Sequence, residues 1–334
     1  MENGAPAAKE RLERFLSARE PDRSPTVLSY RPISGGYSRV TAVAEVRWGD
    51  GVEERFVLRS DPPGGAGVFF SERDPEWDLL QSLADVTEVA IPRPRWYDGS
   101  GEHFGTKCIV MEYCDGRPLQ STLADGDDLA EATAVFLDVA ARIRRIPLEA
   151  LPEHLERPVD WDSHIDSTID IYERTERELS DSSPIIRYVA AWLRANKPPP
   201  VALAVVHGDF QPGNILVADG RPPVVIDWEF TRIGDPREDV GYYSGSPLPM
   251  SLYEADPERF LSMYRELTGF TESEVNPEIM EYFFILGMAK LYCQMMEGAG
   301  ALADGRGTGL MKSFLVNSMC YFQERYLKIC SRSL

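Results

Sequence analysis

Alternating apolar and polar residues in the first third of the chain predict an antiparallel sheet. The segments TVLSYRPIS, SRVTAVAEVRW and EERFVLRS begin at Thr26, Ser38 and Glu53, and they carry the β-branched and aromatic residues that strands favour. Gly35 and Gly36 separate the first two segments, and a Gly-Asp-Gly turn separates the second from the third. We therefore predict three antiparallel strands after an amphipathic opening helix.

The rest of the chain is mainly helical in its periodicity. A helix is predicted over about residues 72–83, and GTKCIVMEYCDG then predicts another strand that ends in a turn. Beyond Pro118, amphipathic helices are predicted to begin near Asp127, Trp161 and Pro184. Two strand-like runs, NILV and PVVID, interrupt the helices before they continue to the C-terminus. The glycine-rich stretch EGAGALADGRGTG lacks the lysine of a phosphate-binding loop and is predicted to be a loop between helices.

This order of elements predicts an α+β fold with two lobes. Residues 1–114 would form a small lobe with an antiparallel sheet, and residues 115–334 a larger, mainly helical lobe, joined through MEYCDG. A chain of 334 residues, of which 43% are hydrophobic, is long enough to bury the cores that such lobes need.

Composition excludes some classes of partner. The net charge of −19 argues against nucleic acid, because phosphate backbones are bound by basic surfaces. The five cysteines are scattered without a CxxC pair, and no histidine stands at metal-ligand spacing from another, so we expect free thiols and no zinc site. The first residues lack the apolar run of a signal peptide, and the apolar run at 282–296 is interrupted and too short for a membrane span. We expect a cytoplasmic protein without a membrane partner.

The stretch VVHGDFQPGNILV (205–217) places polar side chains in a turn between apolar runs. Asp209 and Asn214 enclose four residues, the interval found in the catalytic loop of protein kinases, and a Pro-Gly pair makes the turn abrupt. VVIDWEF then places Asp227 at the end of an apolar strand, where it suits Mg²⁺. Each residue alone is typical of an ordinary turn or cap. In this order, they indicate phosphoryl transfer, which needs a group that orients the attacking hydroxyl and oxygen ligands for metal.

The motifs HGDFQPGN, IDWE and GDPREDVG together resemble the signature of the aminoglycoside phosphotransferase and choline kinase-like family, from about Ser29 to the last helices. The resemblance implies a bilobal protein-kinase-like fold and the transfer of a γ-phosphoryl group from ATP, or alternatively GTP, to a hydroxyl of a small molecule. It implies that Asp209 is catalytic and that Asn214 and Asp227 hold Mg²⁺. The acceptor stays open between an aminoglycoside-like, an amino-alcohol and a hydroxyacyl compound, and monomer and homodimer are equally open.

The same resemblance assigns nucleotide-binding residues in the sheet-rich lobe. Gly35, Gly36 and Ser38 in ISGGYSRV take the place of the family's glycine-rich loop and are expected to contact phosphate. Arg59 in FVLRS stands where the family usually has lysine, and Glu76 is favoured over a neighbouring glutamate, at 72, as its partner. The alternatives are that the two glycines form a plain hairpin turn and that the glutamate is a solvated residue on the helix surface.

The turn VMEYCDG matches the family's hinge. The backbone of Glu112, Tyr113 and Cys114 is expected to hydrogen-bond adenine, with a plain strand end as the alternative. Two residues are expected to support the catalytic loop: His207 from the core, and Asp239 in PREDVG as an acceptor of backbone N–H groups.

Other roles stay open at this stage. Gln211 and Glu229 either touch the metal's hydration shell or pack in turns. The acidic segment 160–181 is either an acceptor wall for polycations or, as we favour, a solvated helix face with interspersed arginines. A catalytically inactive nucleotide-binding scaffold is the alternative to an enzyme. A protein kinase proper is disfavoured, because no activation loop fits between IDWE and GDPREDVG.

Overall fold

A five-stranded antiparallel sheet begins the fold. The structure, a computed structural model, describes residues 5–33, 40–61, 72–86, 88–124, 128–179, 184–245 and 252–303, together with 324, 327–328 and 331. The sheet has the order β1–β2–β3–β5–β4, and every neighbouring pair is antiparallel. Its strands are β1 (Thr26–Ile33), β2 (Val40–Arg47), β3 (Glu53–Ser60), β4 (Pro94–Asp98) and β5 (Cys108–Glu112). The three alternating strands and the strand in GTKCIVMEYCDG are thereby confirmed.

The sequence analysis missed strand β4, and its composition explains why. The segment IPRPRWYDG contains two prolines, which argue against a strand because proline cannot donate to the ladder. Pro94 is the first residue of β4, and β4 lies at the edge of the sheet, which are the two places where a strand tolerates proline.

Helices cover both faces of the sheet. Helix α1 (Ala5–Arg19) packs on the face that holds Phe56 and Leu58 of β3. Helix α2 (Arg73–Leu83) packs on the opposite face, near Ile109 of β5. Because successive residues of a strand point to opposite faces, Arg59 lies on the side of α2.

The helical region packs around a single large apolar cluster. Its helices are α3 (Leu119–Ala124), α4 (Leu129–Ile143), α5 (Trp161–Leu179), α6 (Pro184–Ala195), α7 (Arg237–Ser244), α8 (Leu252–Ala255), α9 (Pro257–Thr268) and α10 (Pro277–Ala303). Phe136 of α4 lies at the centre, with ring centroids 4.6 Å from both Phe210 and Tyr243 and 6.3 Å from Phe260. Since Phe210 belongs to HGDFQPGN, this aromatic packing anchors that loop in the core.

Two small sheets hold the polar turns in place. β6 (Arg117–Pro118), β8 (Ile215–Val217) and β9 (Val224–Val225) form one, and β7 (Ala204–Val206) pairs with β10 (Arg232–Gly234) in the other. The N–H of Val225 donates to the carbonyl oxygen of Ala90 at 2.8 Å, which joins β9 to the segment before β4. The strand-like runs NILV and PVVID are thus strands, as predicted.

Of two further expectations about the organisation of the chain, one is wrong and the other stays a prediction. Helix α10 continues to Ala303, so the first part of the glycine-rich stretch predicted to be a loop is helical. The division of the chain after residue 114 stays a prediction. Among the helices in the described ranges, none has both the length and the apolar character needed to cross a bilayer.

Candidate active site

A glycine turns the chain from β7 into the catalytic loop. Gly208 has a φ of +85°, and a Cβ atom at this position would lie 2.3 Å from the carbonyl oxygen of Phe230 and 2.7 Å from Nη1 of Arg232. Only glycine fits this conformation and this space. The carboxylate of Asp239 accepts the N–H groups of His207 at 2.8 Å and of Gly208 at 2.9 Å. The predicted support of the loop by Asp239 is confirmed.

His207 connects the loop that carries Asp209 to the turn that carries Asp227. Its ring is fully buried, and burial lowers its pKa, so the imidazole is neutral. Nε2 lies 3.0 Å from the carbonyl oxygen of Ile226, to which it can donate, and Nδ1 accepts the N–H of Asp209 at 3.3 Å. His207 therefore braces the loop from the core, as predicted, and ties Asp209 to the residue before Asp227.

Asp209 and Asn214 converge as their spacing predicts. A single helical turn over Pro212–Asn214 reverses the chain, and Nδ2 of Asn214 then donates to Oδ2 of Asp209 at 2.9 Å and to its backbone oxygen at 2.8 Å. Gln211 donates to both carboxylate oxygens of Asp209 at 3.2 Å. With its amide nitrogen engaged, Asn214 keeps its amide oxygen for another ligand.

The environment of Asp209 makes its carboxyl group a weaker acid than an exposed aspartate. Burial raises its pKa to about 6, and the negative charge of Asp227 acts in the same direction. The hydrogen bonds from Asn214 and Gln211 oppose this shift without cancelling it. A carboxylate with such a pKa can accept a proton near neutral pH.

Asp227 is held in a strained backbone conformation. Its φ is 69°, in the left-handed region that residues other than glycine rarely adopt. The N–H of Ile226 donates to the backbone oxygen of Asn214 at 2.9 Å, which places the turn beside the catalytic loop. Burial acts to raise the pKa of Asp227, but the charge and hydrogen bond of Arg59, together with smaller contributions from other groups, outweigh it and hold the pKa below its ordinary value. Asp227 is therefore ionised.

Arg59 connects the sheet to this turn. Its Nη2 donates to Oδ1 of Asp227 at 2.7 Å, and its side chain lies 3.8 Å from carboxylate oxygens of both Glu76 and Glu229. Glu76 is thus the helix glutamate that faces Arg59, while Glu72 is exposed at the N-cap of α2. Only 11% of the Arg59 side chain is exposed.

A second arginine, missed in the sequence analysis, completes the cluster. The side chain of Arg73 is fully buried and pairs with Glu76, with Glu229 at 3.2 Å and with Asp61 at 3.1 Å. The available signal was its position three residues before Glu76 on the same helix, a spacing at which side chains meet. Glu229 lies within this buried cluster, whereas Gln211 contacts the carboxylate of Asp209.

Several polar groups of this site suit a nucleotide and a metal ion. Nε of Arg59 is buried without a hydrogen-bond partner in the part of the chain that the structure describes, which suits a phosphate oxygen. No group of three or more His, Cys, Asp or Glu residues within those ranges is arranged to hold a metal. The oxygen donors here are the carboxylate of Asp227 and the amide of Asn214. Such a pair fits Mg²⁺, which takes few protein ligands and completes its shell with water and phosphate oxygens.

The predicted hinge has fewer free amides than expected. The N–H of Glu112 donates to the carbonyl oxygen of Arg93 at 2.9 Å, and that of Tyr113 donates to Arg55 at 3.0 Å. Of the three predicted hinge residues, Cys114 is the one whose N–H makes no hydrogen bond within the described ranges. Gly35, Gly36 and Ser38, expected to form the phosphate loop, lie outside the described residues.

The acidic residues of α5 are paired with basic residues that follow them in the chain. Lys197 lies 3.1 Å from Asp162 and 2.9 Å from Asp166. Arg194 contacts Asp170 at 2.5 Å and Glu173 at 3.1 Å, and Arg187 lies 3.9 Å from Glu176. These basic partners come from α6 and the residues just after it, whereas the preferred interpretation expected arginines interspersed in the helix itself.

The sheet, the helical region and the turn residues between them together define a protein-kinase-like phosphotransferase fold. The sequence matches the model of the phosphotransferase enzyme family over residues 29–277. The chain belongs to this family.

Two curated relatives and one solved structure illustrate the range of similar proteins. Acyl-CoA dehydrogenase family member 10 of Mus musculus is 26% identical over 256 residues, which cover 73% of this chain and 22% of that protein. The chain thus spans less than a quarter of that relative's length. Hygromycin-B 4-O-kinase of Escherichia coli is 27% identical over 241 residues, which cover 67% of each protein.

The solved structure is a thermostable mutant of the aminoglycoside phosphotransferase APH(4)-Ia in a ternary complex with AMP-PNP and hygromycin B. It superposes with a TM-score of 0.63 at 18% identity and covers 96% of this chain and 98% of that chain. At this level of identity the likeness establishes the fold alone.

Proposed function

We propose that this protein transfers the γ-phosphoryl group of ATP to a hydroxyl of a small molecule, with Mg²⁺ as cofactor. One observation carries the proposal: Asp209, Asn214 and Asp227 converge where Arg59 reaches across from the sheet. Asp209 and Asn214 are joined by a hydrogen bond of 2.9 Å, and Arg59 holds Asp227 at 2.7 Å. These are the groups that phosphoryl transfer requires, since it depends on positioning and charge neutralisation more than on covalent chemistry.

Asp209 is the catalytic residue in this proposal. Its carboxylate accepts a hydrogen bond from the acceptor hydroxyl, orients the oxygen towards the phosphorus and receives the proton as the bond forms. Gln211 and Asn214 fix the carboxylate at 3.2 and 2.9 Å. Phe210 is anchored in the aromatic core and prevents the loop from shifting.

The other residues position the nucleotide and its metal. Arg59 neutralises and orients phosphate oxygens, and the buried carboxylate of Glu76 holds Arg59 in position. The N–H of Cys114 donates a hydrogen bond to the nucleotide base. Gly35, Gly36 and Ser38 keep their assignment to the phosphate loop as part of this proposal. Asn214 and Asp227 would hold Mg²⁺, which when bound neutralises negative charge on the phosphates.

The nature of similar proteins supports a nucleotide-dependent reaction. One relative is named as a kinase of hygromycin B, and the superposed structure contains AMP-PNP. We propose ATP as the donor on this basis, with GTP as the alternative. The cytoplasmic location expected from the sequence stays a prediction.

Measuring Mg²⁺-dependent ATP consumption tests the proposal. The purified chain is assayed with aminoglycosides, amino alcohols, sugars and hydroxylated carboxylates, alongside Asp209→Asn and, as a matched control, Asp219→Asn. Asp219 is exposed in the turn after β8, so its variant removes the same charge outside the site. We expect Asp209→Asn to bind nucleotide normally and to lose turnover, while Asp219→Asn behaves as the wild type.

The inactive-scaffold alternative makes a different prediction. It requires nucleotide binding without turnover, so the wild type and Asp209→Asn would be equally inactive on every acceptor. Equal and substantial turnover of both proteins would instead show that Asp209 has no catalytic role.

A further inference from the structure

Lys290 is a charged residue near the catalytic loop that the proposed chemistry does not use. It lies on α10, and its ammonium nitrogen is 4.8 Å from the centre of the Phe230 ring. The carbonyl oxygen of the same Phe230 closes over Gly208, next to the catalytic aspartate. One turn earlier on α10, Gly287 is in close contact with Tyr242, whose pKa is raised by burial and by the charge of Asp209. Asp209, Tyr242, Phe230 and Lys290 therefore line one region.

This region lies where the loop meets the helical part of the fold. Helix α10 packs against α5, α6 and α7, all of which belong to the helical part of the fold. Arg59, by contrast, approaches Asp227 from β3 of the sheet. Since the proposed function places the phosphates beside Arg59, a group on α10 would face the molecule that receives the phosphoryl group. Lys290 is half-buried, so part of the residue is exposed.

The carboxylates around Lys290 are already engaged by other groups. Glu238 binds Arg232 and lies 2.6 Å from His164, and Asp239 accepts two backbone N–H groups. Asp209 is bonded to the side chains of Asn214 and Gln211. Within the described ranges, no carboxylate oxygen lies within 4.0 Å of the Lys290 ammonium group. Among the residues that the structure describes, its positive charge thus has no direct counterion.

The alternative, an acidic wall on α5 that binds a polycationic acceptor, is disfavoured because the carboxylates are already paired with basic residues of the protein. The carboxylates of α5 that could form such a wall are bound by Lys197, Arg194 and Arg187. A polycationic acceptor would have to displace these partners. An acceptor with a negative charge would instead provide the counterion that Lys290 lacks.

We propose that Lys290 is a specificity-determining residue that binds an anionic group, such as a carboxylate, on the hydroxyl compound phosphorylated at Asp209. This inference rests on the proposed function and narrows its acceptor to hydroxylated anions. A carboxylate beside the ammonium group forms a charge-assisted hydrogen bond, which is stronger than the bond a neutral amide would form.

The titration of Lys290 adds a second expectation. Burial lowers its pKa to about 7, and Arg232 acts in the same direction, whereas Glu238, Asp209 and Asp239 raise it. The ammonium form exists below this pKa, so an anionic acceptor binds best there and progressively worse as the pH rises through it. A bound carboxylate stabilises the ammonium form and moves the decline to higher pH.

Three matched acceptors test the proposal: 6-hydroxyhexanoate, its amide and 6-amino-1-hexanol. We expect the wild type to prefer the carboxylate over the amide by about tenfold or more in kcat/KM with Mg²⁺ and ATP. Lys290→Gln removes this preference, and Lys290→Arg retains it without the decline above neutral pH. Lys197→Gln, which removes a lysine that pairs with Asp162 and Asp166 on α5, keeps the wild-type preference and serves as the control.

A second measurement needs no turnover. The rate at which an amine-reactive acylating reagent modifies Lys290 is followed by peptide mass spectrometry, with and without each compound. We expect the carboxylate to slow modification and the amide to leave it unchanged. Equal protection by the two, retention of the preference in Lys290→Gln, or a preference for the amine would overturn the proposal. Absence of ATP consumption with every acceptor would count against the proposed function, while the protection experiment would still decide the role of Lys290.

Discussion

Replacing Gly208 by alanine tests whether the catalytic loop depends on a glycine at its entrance. The new methyl group would lie 2.3 Å from the carbonyl oxygen of Phe230 and 2.7 Å from Arg232. Both the backbone of residue 208 and that of residue 230 would have to move. The N–H of Gly208 also donates to Asp239 at 2.9 Å, so the same movement disturbs the support of the loop.

The magnitude has two parts. An alanine in the left-handed region costs about 1–2 kcal/mol, of which about 0.4–1 kcal/mol is offset because alanine restricts the unfolded chain. The contact with Phe230 adds about 1–3 kcal/mol, as in other overpacked sites. We therefore expect Gly208→Ala to lower the free energy of unfolding by about 2–4 kcal/mol. Because a misplacement of about 1 Å at a catalytic group reduces rates by about 10²-fold, turnover should fall by at least that factor.

Gly51→Ala is the matched control. Gly51 has a φ of +86°, almost the same as Gly208, but nothing lies within 4 Å of a Cβ atom built there. Urea unfolding of both variants separates the two parts: Gly51→Ala should lose about 1 kcal/mol and keep its turnover. If Gly208→Ala were as stable as Gly51→Ala and equally active, steric exclusion at the loop entrance would be refuted.

Three further predictions concern charged groups of the site. Since burial raises the pKa of Asp209 to about 6 and only the ionised form accepts a proton, a pH–rate profile should fall about tenfold per unit below that value; constant rates down to pH 5 would contradict this role. Asp227→Ala and Asp227→Gly should both lose turnover by about 10²–10³-fold, but urea unfolding should find the glycine variant about 1 kcal/mol more stable because the φ is 69°; the reverse order would exclude backbone strain. Arg73→Met leaves Glu76 and Glu229 with one buried cation fewer, so denaturant titration should show a loss of about 3–5 kcal/mol, partly recovered in Arg73→Lys; unchanged stability would rule out this support.

Local periodicity was sufficient to predict most elements of the fold. Alternation identified β1 to β3, and helical spacing identified the residues at which α5 and α6 begin. The exceptions, β4 and the start of the glycine-rich stretch, contain proline and glycine, whose effect depends on whether a strand lies at an edge or a helix is supported by packing.

The short-range part of the site was equally readable from the sequence. Asp209 and Asn214 are five residues apart, and their 2.9 Å contact follows from one tight turn. The requirement for glycine at position 208, by contrast, could not be predicted from the sequence. The atoms that exclude a side chain there belong to Phe230, which is distant along the chain.

The sequence by itself determined the class of elements, the tight turn between Asp209 and Asn214, and the polar groups that the proposed phosphoryl transfer would use. Only the tertiary structure decided which of these groups meet: Arg59 and Asp227 are 168 residues apart, and Arg73 and Glu229 are 156 apart. It also placed Lys290 beside the catalytic loop and paired the acidic residues of α5 with basic partners. Periodicity reports which face of an element is buried, whereas the choice of partner for a buried charge depends on how the elements pack against one another.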